Sequence, residues 1–154
     1  MTDAAHMEGF KTDLLERHRQ LRASRLSLPL RTDEDVVALR RHVRERAVAI
    51  ALSLVDQTKL VTAASELARN TIKYGGGGEA HVDALDDGFK RGVAMVFVDR
   101  GPGIADIDMA LRDGYTTGNG LGLGLGGSRR LVDEFNIDSG PGEGTAVSVV
   151  KWKR

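Results

Sequence analysis

Cysteine is absent from the 154 residues. The chain therefore has no disulfide, no thiolate metal ligand and no cysteine nucleophile. That absence fits a reducing compartment, and the expected location is cytoplasmic. Net charge is absent as well: 22 Lys and Arg balance 22 Asp and Glu. Such a balance leaves no overall electrostatic footprint for nucleic acid or for an anionic membrane, so neither is expected as a partner. No run of about 18 apolar residues occurs, so no helical membrane span is expected. Residues 1–8 lack the basic-then-apolar pattern of a secretory signal. The four histidines, His6, His18, His42 and His81, are scattered and form no metal set.

What is present is ordinary except in one respect. Hydrophobic residues make up 41% and charged residues 29%, as in a globular domain long enough to bury a core. Glycine is the outlier, at 19 residues, and most of the excess falls in a few loops. Residues 1–24 are polar, with a thin apolar stripe (Leu14, Leu15, His18, Leu21) over a helical stretch at 12–23, and read as an N-terminal arm. Residues 25–154 read as the domain. Leu26, Leu28 and Leu30 alternate around Pro29, which suits an edge strand. Thr32 and Asp35 have capping-box spacing. Val36, Leu39, Val43, Ala47, Ile50 and Leu54 then follow at helical steps.

A second helical pattern covers residues 56–73, with Leu60, Ala64, Leu67, Ala68 and Thr71 on its buried stripe. The four glycines 75–78 end it. Ala80, Val82 and Ala84 alternate, and residues 93–98 form an apolar run that reads as a central strand buried on both faces. A short helix is expected within 104–112, a helix over 128–135, a strand from Ile137, a turn at 140–144 and a last strand over 145–152. The expected architecture is α+β, a two-layer sandwich of one mixed, largely antiparallel sheet with helices on one face.

Three segments carry chemistry. Glu66, Asn70 and Lys73 fall within roughly 60° of one another on the flank of the second helix, at about 100° per residue. They present an acid, an amide and an amine in one row. An amide oxygen suits Mg²⁺, and a neighbouring glutamate can take a proton. Asp99 stands where the central strand meets a tight turn, placed to accept the exocyclic amine of adenine. Residues 118–127 alternate glycine with other residues and run into a helix, a form that lets backbone N–H groups close on phosphate oxygens. The loop is neither a Walker A loop, since no Gly-Lys-Ser/Thr follows, nor a dinucleotide fingerprint, since the supporting βαβ unit is missing. Taken singly, each segment has a plainer reading: a solvated helix face, a turn-forming aspartate, a flexible loop. Taken in order, they describe one ATP site.

That order resembles the Bergerat-fold superfamily of gyrase-type topoisomerases, histidine kinases, a heat-shock chaperone and mismatch-repair proteins. Glu66-x-x-x-Asn70 looks like its N box, Asp99-x-Gly101-x-Gly103 its G1 box, Gly120-x-Gly122-x-Gly124 its G2 box and Gly144-Thr145 its closing pair. Within it, Ser65-Glu66-Leu67-Ala68-Arg69-Asn70, Arg112-Asp113-Gly114-Tyr115-Thr116-Thr117 and Arg130-Leu131-Val132-Asp133-Glu134-Phe135 resemble the small serine kinases of bacterial partner-switching systems. The resemblance implies Glu66 as general base, Asn70 as Mg²⁺ ligand and Asp99 as adenine reader, with Thr145 behind it. It implies Gly101, Gly103 and Ile104 along the base. Lys73, Thr116, Thr117, Gly118, Gly120, Leu121, Gly122, Leu123, Gly124 and Gly126 would stand at the phosphates.

It further implies ATP and Mg²⁺ as cofactors and a serine or threonine of a STAS-domain antagonist as substrate. A PP2C-type phosphatase or a sigma factor is a further partner, and a homodimer stays open. An alternative is a nucleotide-gated binding module using the basic helix at 40–46. A histidine-kinase reading would need an acceptor histidine, and His18 is the one candidate, on a single helix.

Overall fold

Thr32 starts the first helix as its spacing predicts. Its hydroxyl accepts from the Asp35 N–H and the Asp35 carboxylate accepts from the Thr32 N–H, both at 3.2 Å. The computed structural model describes residues 22–112 and 124–154. Strand β1, Arg22–Leu30, begins three residues before the expected domain boundary. Among the described residues it pairs with β2 alone and is a sheet edge, where Pro29 leaves no ladder bond broken in the sheet interior. Helix α1 is Asp33–Ala49 and buries Val36, Leu39, Val43 and Ala47.

The expected stripe ran on to Leu54, and here the structure differs. Helix α1 stops at Ala49, and Leu54 opens helix α2, Leu54–Lys73, with 71% exposure. The stop is made by Ala51 at φ 62. Its N–H donates to the Val48 carbonyl at 2.9 Å and the Leu52 N–H to the Ala47 carbonyl at 3.0 Å, the bond pair of a Schellman motif. Ser53 then caps α2 by accepting from the Asp56 N–H. An alanine in this left-handed position is strained by about 1–2 kcal/mol. Glycine relieves that and gives back about 0.4–1 kcal/mol through the looser unfolded chain. Ala51→Gly is therefore expected to raise stability by about 0.5–1 kcal/mol, seen as a higher urea midpoint at unchanged slope; a lower midpoint contradicts the strain.

Along α2, Leu60, Ala64, Leu67, Ala68 and Thr71 are buried as expected. The chain leaves through Tyr74 and turns back at Gly76 and Gly77 into β2, Gly78–Asp86, which pairs with β3, Arg91–Asp99. The order is β1-β2-β3-β5-β4, with β4 at Glu134–Ser139 and β5 at Thr145–Trp152. The largely antiparallel sheet is there, but among the described residues its mixed component is not: the four pairings are all antiparallel. β3 is central, and every residue from Gly92 to Asp99 is buried. On the helix side Val82, Met95, Phe97, Val147 and Val149 join Leu39, Val43, Leu60 and Leu67 in one core.

Two short helices complete the fold. Helix α3 is the single turn Ile107–Ala110, capped by the Asp106 side chain, within the expected 104–112. Helix α4 is Gly124–Arg130. The helix expected over 128–135 ends early because strand pairing takes its last residues: Glu134 lies opposite Val150 and Phe135 opposite Val149. Asp133 fixes the crossing. Its N–H donates to the Val150 carbonyl at 2.9 Å and its carboxylate accepts the Trp152 N–H at 2.7 Å. Lys151, nearly buried, holds its ammonium 3.5 Å from Asp56 and 3.7 Å from Asp133, tying the start of α2 to this end of the sheet. Among the described residues no helix is long and apolar enough to cross a membrane.

Candidate functional site

Asp99 is the last residue of β3, opposite Thr145 of β5 and Gly78 of β2. It shares strand parity with Met95 and Phe97, so its side chain is on the helix side of the sheet. It is 8% exposed. One carboxylate oxygen, Oδ1, accepts the Gly101 N–H at 2.9 Å, and the Thr145 backbone N–H also donates to the carboxylate. Burial pushes the Asp99 carboxyl above its ordinary value of 3.8, while the two N–H groups pull the other way. The other oxygen, Oδ2, faces Gly75: a Cβ on Gly75 would lie 2.3 Å from Asp99 Cγ and 2.4 Å from Oδ2. A Cβ on Gly101 would in turn lie 2.7 Å from the Gly75 Cα. No side chain larger than hydrogen fits between these layers, and the result is a flat backbone wall around one buried acid.

The loop after Asp99 is fastened from the far side. Gly103 has φ 78, and a Cβ there would lie 1.8 Å from the Gly140 carbonyl oxygen. The Gly142 N–H donates to the Pro102 carbonyl at 2.6 Å. Ser139 Oγ accepts the Ile104 N–H at 2.8 Å and contacts the Gly144 carbonyl and Thr145 Oγ1 at 2.7 and 2.8 Å. Thr145 thus serves the site through its backbone, while its hydroxyl is taken by Ser139.

Helix α2 reaches the same place through its last turn. The Asn70 carbonyl accepts the N–H groups of Tyr74 at 2.9 Å and Gly75 at 3.3 Å. Asn70 is therefore one hydrogen bond from the glycine that covers Asp99. Glu66 lies one turn earlier; both Glu66 and Asn70 are half-buried, beside the buried Leu67 and Ala68. Neither the Glu66 carboxylate nor the Asn70 amide has a side-chain partner among the described residues. Lys73 is exposed, with Nζ 5.2 Å from the Tyr74 ring centre.

Among the expected phosphate residues, Gly124 and Gly126 belong to α4, which packs on α2. A Cβ on Gly126 would lie 2.3 Å from the Leu111 carbonyl oxygen, so the end of α3 rests on α4. Thr116, Thr117, Gly118, Gly120, Leu121, Gly122 and Leu123 lie outside the described residues. The structure therefore gathers Asn70, Asp99, Gly101, Gly103, Ile104 and Thr145 in one place by hydrogen bonds and close packing, with Glu66 on the same helix as Asn70. Sequence reasoning missed Gly75 and Ser139. Gly75 carried a signal, as the first of four glycines, but it read only as a helix stop; Ser139 carried none.

The donor set fits a base with an exocyclic amine, since Asp99 is a buried, ionisable acceptor held in place by backbone. No group of three or more acidic or histidine side chains among the described residues could hold a metal by itself. A magnesium ion fits Asn70 in another way, since Mg²⁺ keeps waters and phosphate oxygens and needs only one or two protein oxygens. Elsewhere on the surface, an open depression is lined by Val37, Arg40, Arg41, Arg44 and Val61.

Residues 55–154 match the model of the histidine kinase-, DNA gyrase B- and HSP90-like ATPase family. The chain is 43% identical over 123 residues to the serine/threonine-protein kinase RsbT of Bacillus subtilis (strain 168), covering 80% of this chain and 92% of that one. It is 32% identical over 97 residues to the anti-sigma F factor of Thermoanaerobacter sp. (strain X514), covering 59% and 66%. Its fold is similar to the RsbU and RsbW domains of Rv1364c from Mycobacterium tuberculosis, with a TM-score of 0.59 at 22% identity, over 86% of this chain and 33% of that one. It is also similar to a chain of the SiaB-SiaC complex from Pseudomonas aeruginosa, with a TM-score of 0.51 at 15% identity, over 92% and 95%.

Proposed function

We propose that this chain, which belongs to the histidine kinase-, DNA gyrase B- and HSP90-like ATPase family, transfers the γ-phosphoryl group of ATP to a serine or threonine of a STAS-domain antagonist. It is a protein serine/threonine kinase of the partner-switching kind, as the likeness to RsbT indicates. One observation carries the reading of the site: Asp99 is buried, bonded to Gly101 and packed against Gly75, whose N–H is held by the Asn70 carbonyl.

Asp99 accepts from the exocyclic amine of adenine and so prefers ATP to GTP. Gly75 and Gly101 let the backbone close tightly on Asp99 and hold its carboxylate in place. Asn70 would hold Mg²⁺, which supplies charge neutralisation at the phosphates when bound. Glu66 takes the proton from the partner's hydroxyl as that oxygen bonds to the γ-phosphorus and the bond to ADP breaks. Lys73, exposed on the same helix, reaches toward phosphate. The phosphate loop at 116–126 closes the set.

The test is incubation with labelled ATP, Mg²⁺ and a STAS-domain protein from the same genome. Expected is acid-stable, base-labile label on the STAS protein, lost when Mg²⁺ is chelated. Absence of transfer to every such protein rejects the kinase–substrate assignment. Acid-labile label on the chain itself would favour the histidine reading, with His18 outside the described residues.

A second reading rests on its own observation. The arginines Arg40, Arg41 and Arg44 surround an open depression beside Val37, which is 60% exposed. An exposed apolar and cationic helix face suits a protein partner with acidic groups, such as a sigma factor or a phosphatase. If grip rather than transfer is the main activity, pull-down of that partner depends on ATP and survives Glu66→Ala.

A further inference from the structure

Asp99 belongs to a row of paired residues that crosses the sheet. Thr145 of β5 stands opposite it, and Ser139, the last residue of β4, stands opposite Thr145. All three side chains are on one face. Asp99 keeps step with Phe97, Thr145 with Val147 and Ser139 with Ile137, and Phe97, Val147 and Ile137 all join the helix-side core. Directly opposite residues have Cβ atoms about 4.5–5.5 Å apart, so the row places a hydroxyl next to the Asp99 carboxylate.

Proton directions along the row follow by elimination. Gly144 offers only a carbonyl, so the Ser139 O–H donates to it at 2.7 Å. The Ile104 N–H donates to Ser139 Oγ at 2.8 Å. A serine hydroxyl has one proton, and here it is spent. The contact of Ser139 Oγ with Thr145 Oγ1 at 2.8 Å therefore runs from Thr145 to Ser139. Thr145 Oγ1 has no other hydrogen-bond partner among the described residues. It keeps lone pairs and has no proton left to offer. The ionised Asp99 carboxylate likewise only accepts.

We propose that Ser139 sets the base selectivity of this site: by holding the Thr145 proton it keeps the row acceptor-only, which admits a base with an amine and rejects one with a carbonyl at the same place. Selectivity of this kind rests on the proposed contact of Asp99 with the adenine amine. Ser139 acts through Thr145 and is a positioning residue. Without it, the Thr145 hydroxyl is free to turn and donate, and a carbonyl base is no longer met by acceptors alone.

Inosine triphosphate is the probe, because its base carries a carbonyl where adenine carries the amine. Calorimetry with Mg²⁺ should show the full chain preferring ATP to inosine triphosphate by at least about 10²-fold. Ser139→Ala should narrow that ratio about tenfold, with the gain in affinity for inosine triphosphate as its main cause. Ser139→Thr keeps the hydroxyl and should hold the parent ratio. Loss of the Ile104 bond also loosens the loop, and Thr145→Val added to Ser139→Ala separates the two effects. It removes the freed donor, so the ratio should rise back toward that of the parent. If Ser139→Ala does not fold, Ser139→Cys keeps the volume with a weak S–H and should narrow the ratio by less. A parent that prefers ATP with a ratio unmoved in the Ser139 variants overturns the proposal and leaves the adenine reading standing. A ratio that narrows and stays narrow with Thr145→Val overturns it too, because loop loosening then accounts for the change. A parent with no preference for ATP overturns the adenine reading and this role together.

Discussion

Glu66→Ala should bind ATP as the unaltered chain does and transfer phosphate about 10²–10⁴-fold more slowly, the range for loss of a positioned general base. The side chain is well placed for that role and poorly placed for any structural one. It stands in the middle of a 20-residue helix, between Ser65, whose hydroxyl bonds the Val61 carbonyl at 2.9 Å, and the buried Leu67. Its backbone is rigid, while its carboxylate has no partner among the described residues. Removal therefore breaks no bond and opens no core cavity. Glu66→Gln keeps the shape and loses the basicity, so it should be as slow as the alanine variant. Single-turnover transfer to the STAS partner measures the rate, and calorimetry measures the nucleotide. An unchanged rate removes Glu66 from proton transfer. A collapse of ATP affinity in the glutamine variant would move its role to binding.

How much of this could be read in advance follows from how local each signal is. The start of α1 needs four consecutive residues, and Thr32 with Asp35 states it outright. Its end rests on Ala51 in a left-handed conformation, which alanine disfavours and no residue type advertises, so the stripe seemed to run through to Leu54. The helix read over 128–135 fails at Glu134 and Phe135 because their fate is decided by Val150 and Val149, on a strand that comes later in the chain. At the proposed site, one helical turn fixes the relation of Glu66 to Asn70, but a pair on a helix face reads alone as solvated, and only its order with the other two segments points to ATP. Asp99 before glycine reads alone as a turn former, and its proposed role comes from its place between the other two segments. Gly75 was not legible, because its task is set by contact with Asp99, 24 residues away in sequence. His81 and Asp83 alternate with Ala80 and Val82 as a solvent face would, yet both are buried, with Ser27 and Arg25 of the neighbouring strand as partners.

Asp99→Asn should weaken ATP binding by about 10²–10⁴-fold and leave the nucleotide-free chain at least as stable at neutral pH. The Gly101 N–H holds Oδ1 at 2.9 Å, so the amide of the variant must put its oxygen there. Its NH₂ then occupies the Oδ2 position against Gly75, where an acceptor is needed for the adenine amine. One charge-assisted hydrogen bond is lost, about 1.5–3 kcal/mol, and a buried donor is left facing a donor, about 1–3 kcal/mol more.

Stability moves the other way. Burial raises the Asp99 carboxyl above 3.8, so the folded chain holds this proton more tightly than the unfolded chain does. Between 3.8 and the raised value the folded state binds more protons, and unfolding free energy falls as pH rises. Above that window the charged form costs the fold its full penalty, which asparagine does not carry. The melting temperature of Asp99→Asn should therefore match or exceed that of the parent at pH 7, and the difference should shrink as the pH is lowered through the window. Tight ATP binding by the variant, or a lower melting temperature at pH 7 with no change on acidification, would mean that the buried charge is not kept for the nucleotide. A gain in stability paired with a loss of ligand is the signature of a group held in a costly state for binding.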